Sequence, residues 1–138
     1  VDLCQALEES ILAYYGALTA RNITPQIHMP SVRVKCRLNK NALSRIFSNI
    51  LGNAIKYSSG DLNITMTDDG EIIFSNTAPG LDQVQVGRFF DRYYTVEAAR
   101  KPDGGIGLAI ARSLTEAMGG SITARYVSGR LYIHIAFT

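Results

Sequence analysis

Leu3, Leu7, Ile11, Tyr14 and Leu18 recur every three or four residues, which predicts an amphipathic helix from position 2 to about position 21. Asn22 is placed to stop it. Between Pro25 and Pro30 the run TPQIHMP alternates like a short edge strand, and residues 32–36 predict a second strand, so a small hairpin is expected there. Asn39 is a candidate N-cap for a second helix reaching about position 58, because Leu43, Ile46, Phe47, Ile50, Leu51, Ala54 and Ile55 repeat at helical spacing. LNITMT and EIIFSN then read as two β-rich runs. Asp68-Asp69-Gly70 joins them, the glycine supplying the positive φ of a hairpin turn. Residues 77–104 hold turn residues, one apolar-aromatic cluster at 86–94 and a charged tail, with no sustained period, and read mostly as loop. Helical spacing returns over 106–118 through Leu108, Ile110, Ala111 and Leu114, and Gly119-Gly120 ends it. SITARYV and RLYIHIAFT, joined at Ser128-Gly129, predict a final hairpin.

Helices and antiparallel strands both alternate and cluster in this order, which favours an α+β two-layer sandwich over a parallel βαβ domain. The 138 residues suit one domain, and 46% apolar against 19% charged residues excludes disordered and collagen-like chains. Fourteen Lys and Arg against twelve Asp and Glu leave +2, too weak a bias for a nucleic-acid surface. Any anion site must therefore be local. No apolar run approaches the roughly 18 to 20 residues that span a bilayer, and VDLCQALEES carries acids where a signal peptide carries bases, so this stretch is not expected to cross a membrane. Cys4 and Cys36 lack metal-ligand company. Free thiols in a reducing compartment are one reading and a single disulfide is the other.

Four stretches carry candidate chemistry. On the second helix Asn49, Asn53 and Lys56 share one narrow sector at the rim of the apolar face, with Tyr57 beside them. This is either a boundary stripe of solvated side chains or a site for a metal nucleotide, since a carboxamide oxygen suits a hard cation and a lysine one turn on suits phosphate. Gly104-Gly105-Ile106-Gly107-Leu108 places glycines at the mouth of the last helix, where free backbone N–H groups can face an anion. No Gly-Lys-Ser/Thr follows, so it is not a Walker loop. Ser75-Asn76-Thr77-Ala78-Pro79-Gly80 runs from a strand end into a turn, and Phe89-Phe90-Asp91-Arg92-Tyr93-Tyr94 sets aromatics before a polar loop. Taken singly, the first is an ordinary turn and the second a local core patch.

In this order the four stretches resemble the ATP-binding catalytic domain of bacterial two-component sensor histidine kinases, within the GHKL superfamily. SNILGNAIKYS resembles the N box, SNTAPG stands at the G1 position, FFDRYYT resembles the F box, and GGIGLAIARSLTEAMGG resembles the G2 box and its helix. The resemblance covers nearly the whole chain. It implies a single catalytic domain over residues 1–138 with the Bergerat-type fold, a mixed sheet of about five strands backed by three helices, and ATP and Mg²⁺ as ligands. Asn53 would be the Mg²⁺ ligand, and Asn49 and Lys56 the residues nearest the chemistry. Asn49, Asn53, Lys56, Tyr57, Asn76, Gly80, Phe90, Tyr94, Gly105, Gly107 and Leu108 would together bind the nucleotide. Hydrolases of the superfamily typically carry a Glu general base at the position of Asn49, and an amide cannot take a proton, so Asn49 favours phosphoryl transfer over hydrolysis.

Some positions depart from the family pattern. Asn76 replaces the usual G1 Asp and keeps an acceptor without the charge. Ala78 stands at a G1 glycine, Asp103 at the first G2 glycine and Thr95 at a frequent Arg, leaving Arg92, Arg100 and Lys101 as nearby cations. His28 and His134 lack the acidic neighbour of a phosphoacceptor and read as structural or solvated. The resemblance therefore implies an acceptor histidine on a dimerisation domain of the same parent protein, with a response regulator downstream. The domain would be monomeric and cytoplasmic, its parent homodimeric and membrane-anchored. A degenerate, non-catalytic docking module and a small serine kinase of the anti-sigma type are the alternatives. The loop from 95 to 103, with three charges in VEAARK and little to bury, is expected to be a mobile lid anchored at Phe90 and Tyr94 and hinged at Gly104, Gly105 and Gly107.

Overall fold

Asp2 opens the fold by capping helix α1 (Leu3–Ala20), its carboxylate accepting the Gln5 backbone N–H at 3.2 Å. The computed structural model describes residues 2–31, 34–35, 38–91 and 107–137. Leu3, Leu7, Ile11 and Leu18 form the buried stripe of α1, and Asn22, at φ +57°, turns the chain out of it. Strand β1 (Thr24–His28) follows. Helix α2 (Lys40–Tyr57) is capped by Asn39, whose side chain accepts from the Ala42 N–H at 3.0 Å. Strands β2 (Asp61–Met66) and β3 (Glu71–Thr77) form the expected hairpin, with Gly70 at φ +85°. The one-turn helix α3 (Gln83–Val86), helix α4 (Gly107–Ala117) and the hairpin β4 (Ser121–Val127) and β5 (Arg130–Ala136) complete the order.

The five strands form one mixed sheet in the order β1-β2-β3-β5-β4. Only β1 and β2 run parallel, with Ile27 opposite Ile64; the remaining pairs are antiparallel. Alternation sets the two faces. Leu62, Ile64, Ile72, Phe74, Leu131, Ile133 and Ile135 are buried in one core with the apolar stripes of α1, α2 and α4. The other face is lined by side chains such as Asn63, Thr65, Ser75, Thr77, Arg130 and His134. This is the expected α+β sandwich with a five-stranded mixed sheet.

Two local expectations are corrected. Of the hairpin expected within 25–36, β1 pairs instead in parallel with β2, Lys35 makes an isolated antiparallel bridge to Asp2, and residues 32, 33 and 36 lie outside the described residues. An alternating run sets which side chains face the core but names no partner, and α2 supplies the long crossover that a parallel pair needs. Within the stretch read mostly as loop, residues 83–86 form a helical turn. A capping box closes it, the Asp82 side chain accepting from the Gln85 N–H and the Gln85 side chain from the Asp82 N–H.

Gly119 (φ +82°) ends α4, and a Cβ at Gly120 would stand 2.6 Å from the Ala136 carbonyl oxygen. Cys4 is a half-buried free thiol, 3.5 Å from the Met66 sulfur, whereas Cys36 lies outside the described residues. Among the described residues no helix is long and apolar enough to cross a membrane.

Candidate functional site

Helix α2 presents its polar rim through the spacing that also builds its buried stripe. Leu43, Ile46, Phe47, Ile50, Leu51 and Ala54 are buried, and Asn49, Asn53 and Lys56 stand half-buried along the margin. Within that margin Nδ2 of Asn49 and Oδ1 of Asn53 are buried with no hydrogen-bond partner among the described residues. A buried amide donor or acceptor left unpaired is costly, and folded proteins rarely tolerate two in one helical turn without a use. Asn49 offers a donor and Asn53, one turn on, an acceptor. That pair matches a hard cation carried by an anionic oxygen: the carboxamide oxygen takes the cation and the amide N–H₂ the anion. Asn53 Oδ1 therefore fits a Mg²⁺ ligand in its chemistry.

The end of α2 reaches the next two elements of the site. Tyr57 stacks on Phe89, with ring centroids 5.6 Å apart and planes at 23°, and Lys56 Nζ lies 5.2 Å from the Tyr57 ring centre. Phe89 is buried and Phe90 packs partly buried against the same core. The aromatic cluster is thus a core patch that also touches the helix carrying Asn49 and Asn53.

Asn76 projects from β3 onto the helix face of the sheet and is buried, its Nδ2 donating to the Thr77 carbonyl at 3.1 Å. Beyond it Ala78 turns the chain. The Ala78 N–H donates to the Gly129 carbonyl at 2.9 Å, and the Ala78 carbonyl accepts from the Tyr126 hydroxyl at 2.7 Å and the Leu81 N–H at 3.1 Å. The Ala78 methyl is fully buried within the hydrophobic core. Gly80 is exposed, and nothing stands within 4 Å of where its Cβ would be. Gly107 is the first residue of α4, which packs against α2, and Leu108 next to it is buried. Tyr94, Gly105 and the expected lid with its cations fall outside the described residues.

One feature beside the site had no sequence signal. Asp61 and Arg130, 69 residues apart, form an ion pair at 2.8 Å on the other face of the sheet. Asp61 Oδ1 also accepts from the Thr77 N–H at 2.8 Å and the Thr77 hydroxyl at 2.6 Å. Burial pushes the Asp61 carboxyl up, but the Thr77 hydroxyl, the Thr77 N–H and the Arg130 guanidinium outweigh it and hold the group below the ordinary aspartate value.

Residues 38–135 match the family of histidine kinase-, DNA gyrase B- and HSP90-like ATPases. The chain belongs to that family. The sensor histidine kinase YcbM of Bacillus subtilis (strain 168) is 34% identical over 145 residues, covering 99% of this chain and 45% of that protein. The chain thus spans less than half the length of this curated relative. Among solved structures, a mycobacterial sensor histidine kinase, MprB, superposes with a TM-score of 0.79 at 22% identity, covering 98% of this chain and 94% of that one. Full-length ShkA in complex with AMPPNP superposes with a TM-score of 0.73 at 23% identity, covering 100% of this chain and 31% of that one. At these identities the two structures establish the fold of a histidine kinase catalytic domain.

Proposed function

We propose that the chain is the catalytic domain of a sensor histidine kinase, which binds Mg·ATP and passes the γ-phosphoryl group to a histidine on the dimerisation domain of its parent. The observation that carries this reading is the pair on α2, Nδ2 of Asn49 and Oδ1 of Asn53, buried without a partner among the described residues. Membership of an ATPase family and the likeness to ShkA, which was solved with an ATP analogue, support it.

When bound through Asn53, Mg²⁺ would neutralise phosphate charge. Asn49 would donate to a phosphate or water oxygen without acting as a base, which leaves transfer favoured over hydrolysis. Lys56 would add a point charge for phosphate, and the Tyr57 ring, stacked on Phe89, would face the adenine side. Asn76 would accept from the adenine amino group and Gly80 would let the backbone approach the base. The chain contributes positioning and charge rather than a covalent nucleophile. The bond from the γ-phosphorus to its bridging oxygen breaks, one from phosphorus to the acceptor imidazole nitrogen forms, and ADP departs. Neither histidine of this chain suits the acceptor role: His28 is exposed on the edge strand β1, and His134 stands 3.5 Å from Glu71 on the sheet face away from the helices.

The docking-module reading loses part of its support, because the Ala78 methyl is buried in the core rather than turned toward a ligand. Titration with AMPPNP should give saturable binding that tightens with Mg²⁺, and the parent kinase should label itself from γ-labelled ATP. Saturable binding without label in the intact parent would favour the docking module. No binding at millimolar nucleotide would overturn the reading.

A further inference from the structure

Asn76 lies between two residues that are held from behind. Its neighbours on β3, Ser75 and Thr77, point to the opposite sheet face, where Thr77 donates twice to Asp61 and Ser75 Oγ accepts from Arg130 Nη2 at 3.2 Å. Asp61 and Arg130 close the ring by pairing at 2.8 Å. The same node is tied to the end of α2. Ser58 caps that helix, and its hydroxyl oxygen accepts the N–H groups of Gly60 and Asp61, each at 3.0 Å. The Ser59 N–H donates to the Thr77 carbonyl at 3.1 Å, and the hydroxyls of Ser59 and Thr77 are also hydrogen-bonded. Lys56 and Tyr57 are the last two residues of that helix.

We propose that the Asp61–Arg130 pair is a positioning clamp for base recognition, setting where Asn76 stands relative to the end of α2. The inference rests on the nucleotide-binding reading above. Strand alternation places every clamp side chain on the face away from the helices, so Asp61, Arg130, Ser75 and Thr77 have no route to a ligand held beside Asn76 and α2. They act only through the backbone. The clamp spans three adjacent strands, β2, β3 and β5, at the end of β3 where the chain leaves the sheet for the 78–80 turn. Without it, that end keeps its ladder to β5 but loses the side-chain tie that orients Asn76. Contacts made by Asn49 and Asn53 lie one turn or more back along α2 from the tied end and do not depend on it.

Base reading and phosphate binding therefore separate. Arg130→Met, Ser75→Ala and Thr77→Val are titrated with AMPPNP and GMPPNP by calorimetry, with and without Mg²⁺, well below each variant's melting temperature. By analogy with outer-shell partners of metal ligands, whose loss costs roughly tenfold or more in affinity, AMPPNP should weaken by about tenfold in Arg130→Met and by less in Ser75→Ala, which removes one contact. GMPPNP affinity and the Mg²⁺ dependence should stay as in the unaltered chain, so the preference for adenine falls. Arg130→Lys should recover part of it. An adenine preference unchanged in all three variants would overturn the clamp even if their melting temperatures drop, because a purely structural pair lowers stability without altering the ratio. Should Arg130→Met fail to fold, Ser75→Ala, which removes only the bond to Arg130, and Thr77→Val, which removes the hydroxyl bonds to Asp61 and Ser59, decide the matter. If the unaltered chain binds neither nucleotide, the functional reading fails and the clamp with it.

Discussion

Replacing Asn53 by alanine should strengthen the ligand-free domain while removing its response to Mg²⁺. In the free protein Oδ1 of Asn53 is buried without a partner among the described residues, and an orphaned buried acceptor costs about 1–3 kcal/mol. The side chain is half-buried, so the lower end applies, and truncation recovers about 1 kcal/mol. Alanine adds roughly 0.5 kcal/mol of helix propensity in the interior of α2. Lost packing of one polar side chain at the rim takes back about the same amount. The expected balance is a gain of about 1 kcal/mol, or roughly 3–5 °C in melting temperature for a domain of this size. Calorimetric melts without nucleotide read that gain, and repeating them with AMPPNP, in Mg²⁺ and in EDTA, reads the ligand. The unaltered chain should melt higher in Mg·AMPPNP than in AMPPNP with EDTA; Asn53→Ala should show little difference between the two. A fall of more than about 1 kcal/mol in the free protein would mean that the carboxamide serves the fold. An intact Mg²⁺ dependence would mean that Asn53 is not the metal ligand. Either result refutes the reasoning.

Gly80→Ala should leave the melting temperature nearly unchanged, because nothing stands within 4 Å of the new methyl group, yet weaken AMPPNP binding if backbone meets base there; calorimetric titration reads the difference. Gly120→Ala should destabilise by about 1–3 kcal/mol in urea denaturation, since its Cβ would meet the Ala136 carbonyl at 2.6 Å, whereas exposed Gly16 in α1 should gain about 0.5–1 kcal/mol on the same change. The Asp61 carboxyl is held below its ordinary value, so its contribution to stability is complete above about pH 4 and fades as pH falls through the lowered folded value. Partial exposure keeps that contribution small. Melts recorded from neutral pH downward should show a shallower acid decline for Asp61→Asn than for the unaltered chain, and identical slopes would remove Asp61 from the acid response.

Local physics was legible along the chain wherever a contact joins near neighbours. The caps at Asn39, Asn22 and Gly119, the turn at Gly70 and the period of α2 each depend on a few adjacent residues, and each stands where the pattern put it. The same holds for the sector shared by Asn49, Asn53 and Lys56, because helix geometry alone aligns them. Tertiary structure decided the partners. Nothing in the alternation of TPQIHMP distinguishes a local hairpin from a parallel match to β2, since alternation sets a side chain's face and names no partner strand. Whether a carboxamide at the rim of α2 is solvated or stranded depends on what packs over it, and only the assembled core leaves Asn49 and Asn53 with buried atoms unpaired among the described residues. The pairing of Asp61 with Arg130 arises from the register of β2 with β3 and β3 with β5. A charge pattern carries no information about such register until the sheet exists, because 69 residues separate the two side chains and no periodicity spans them.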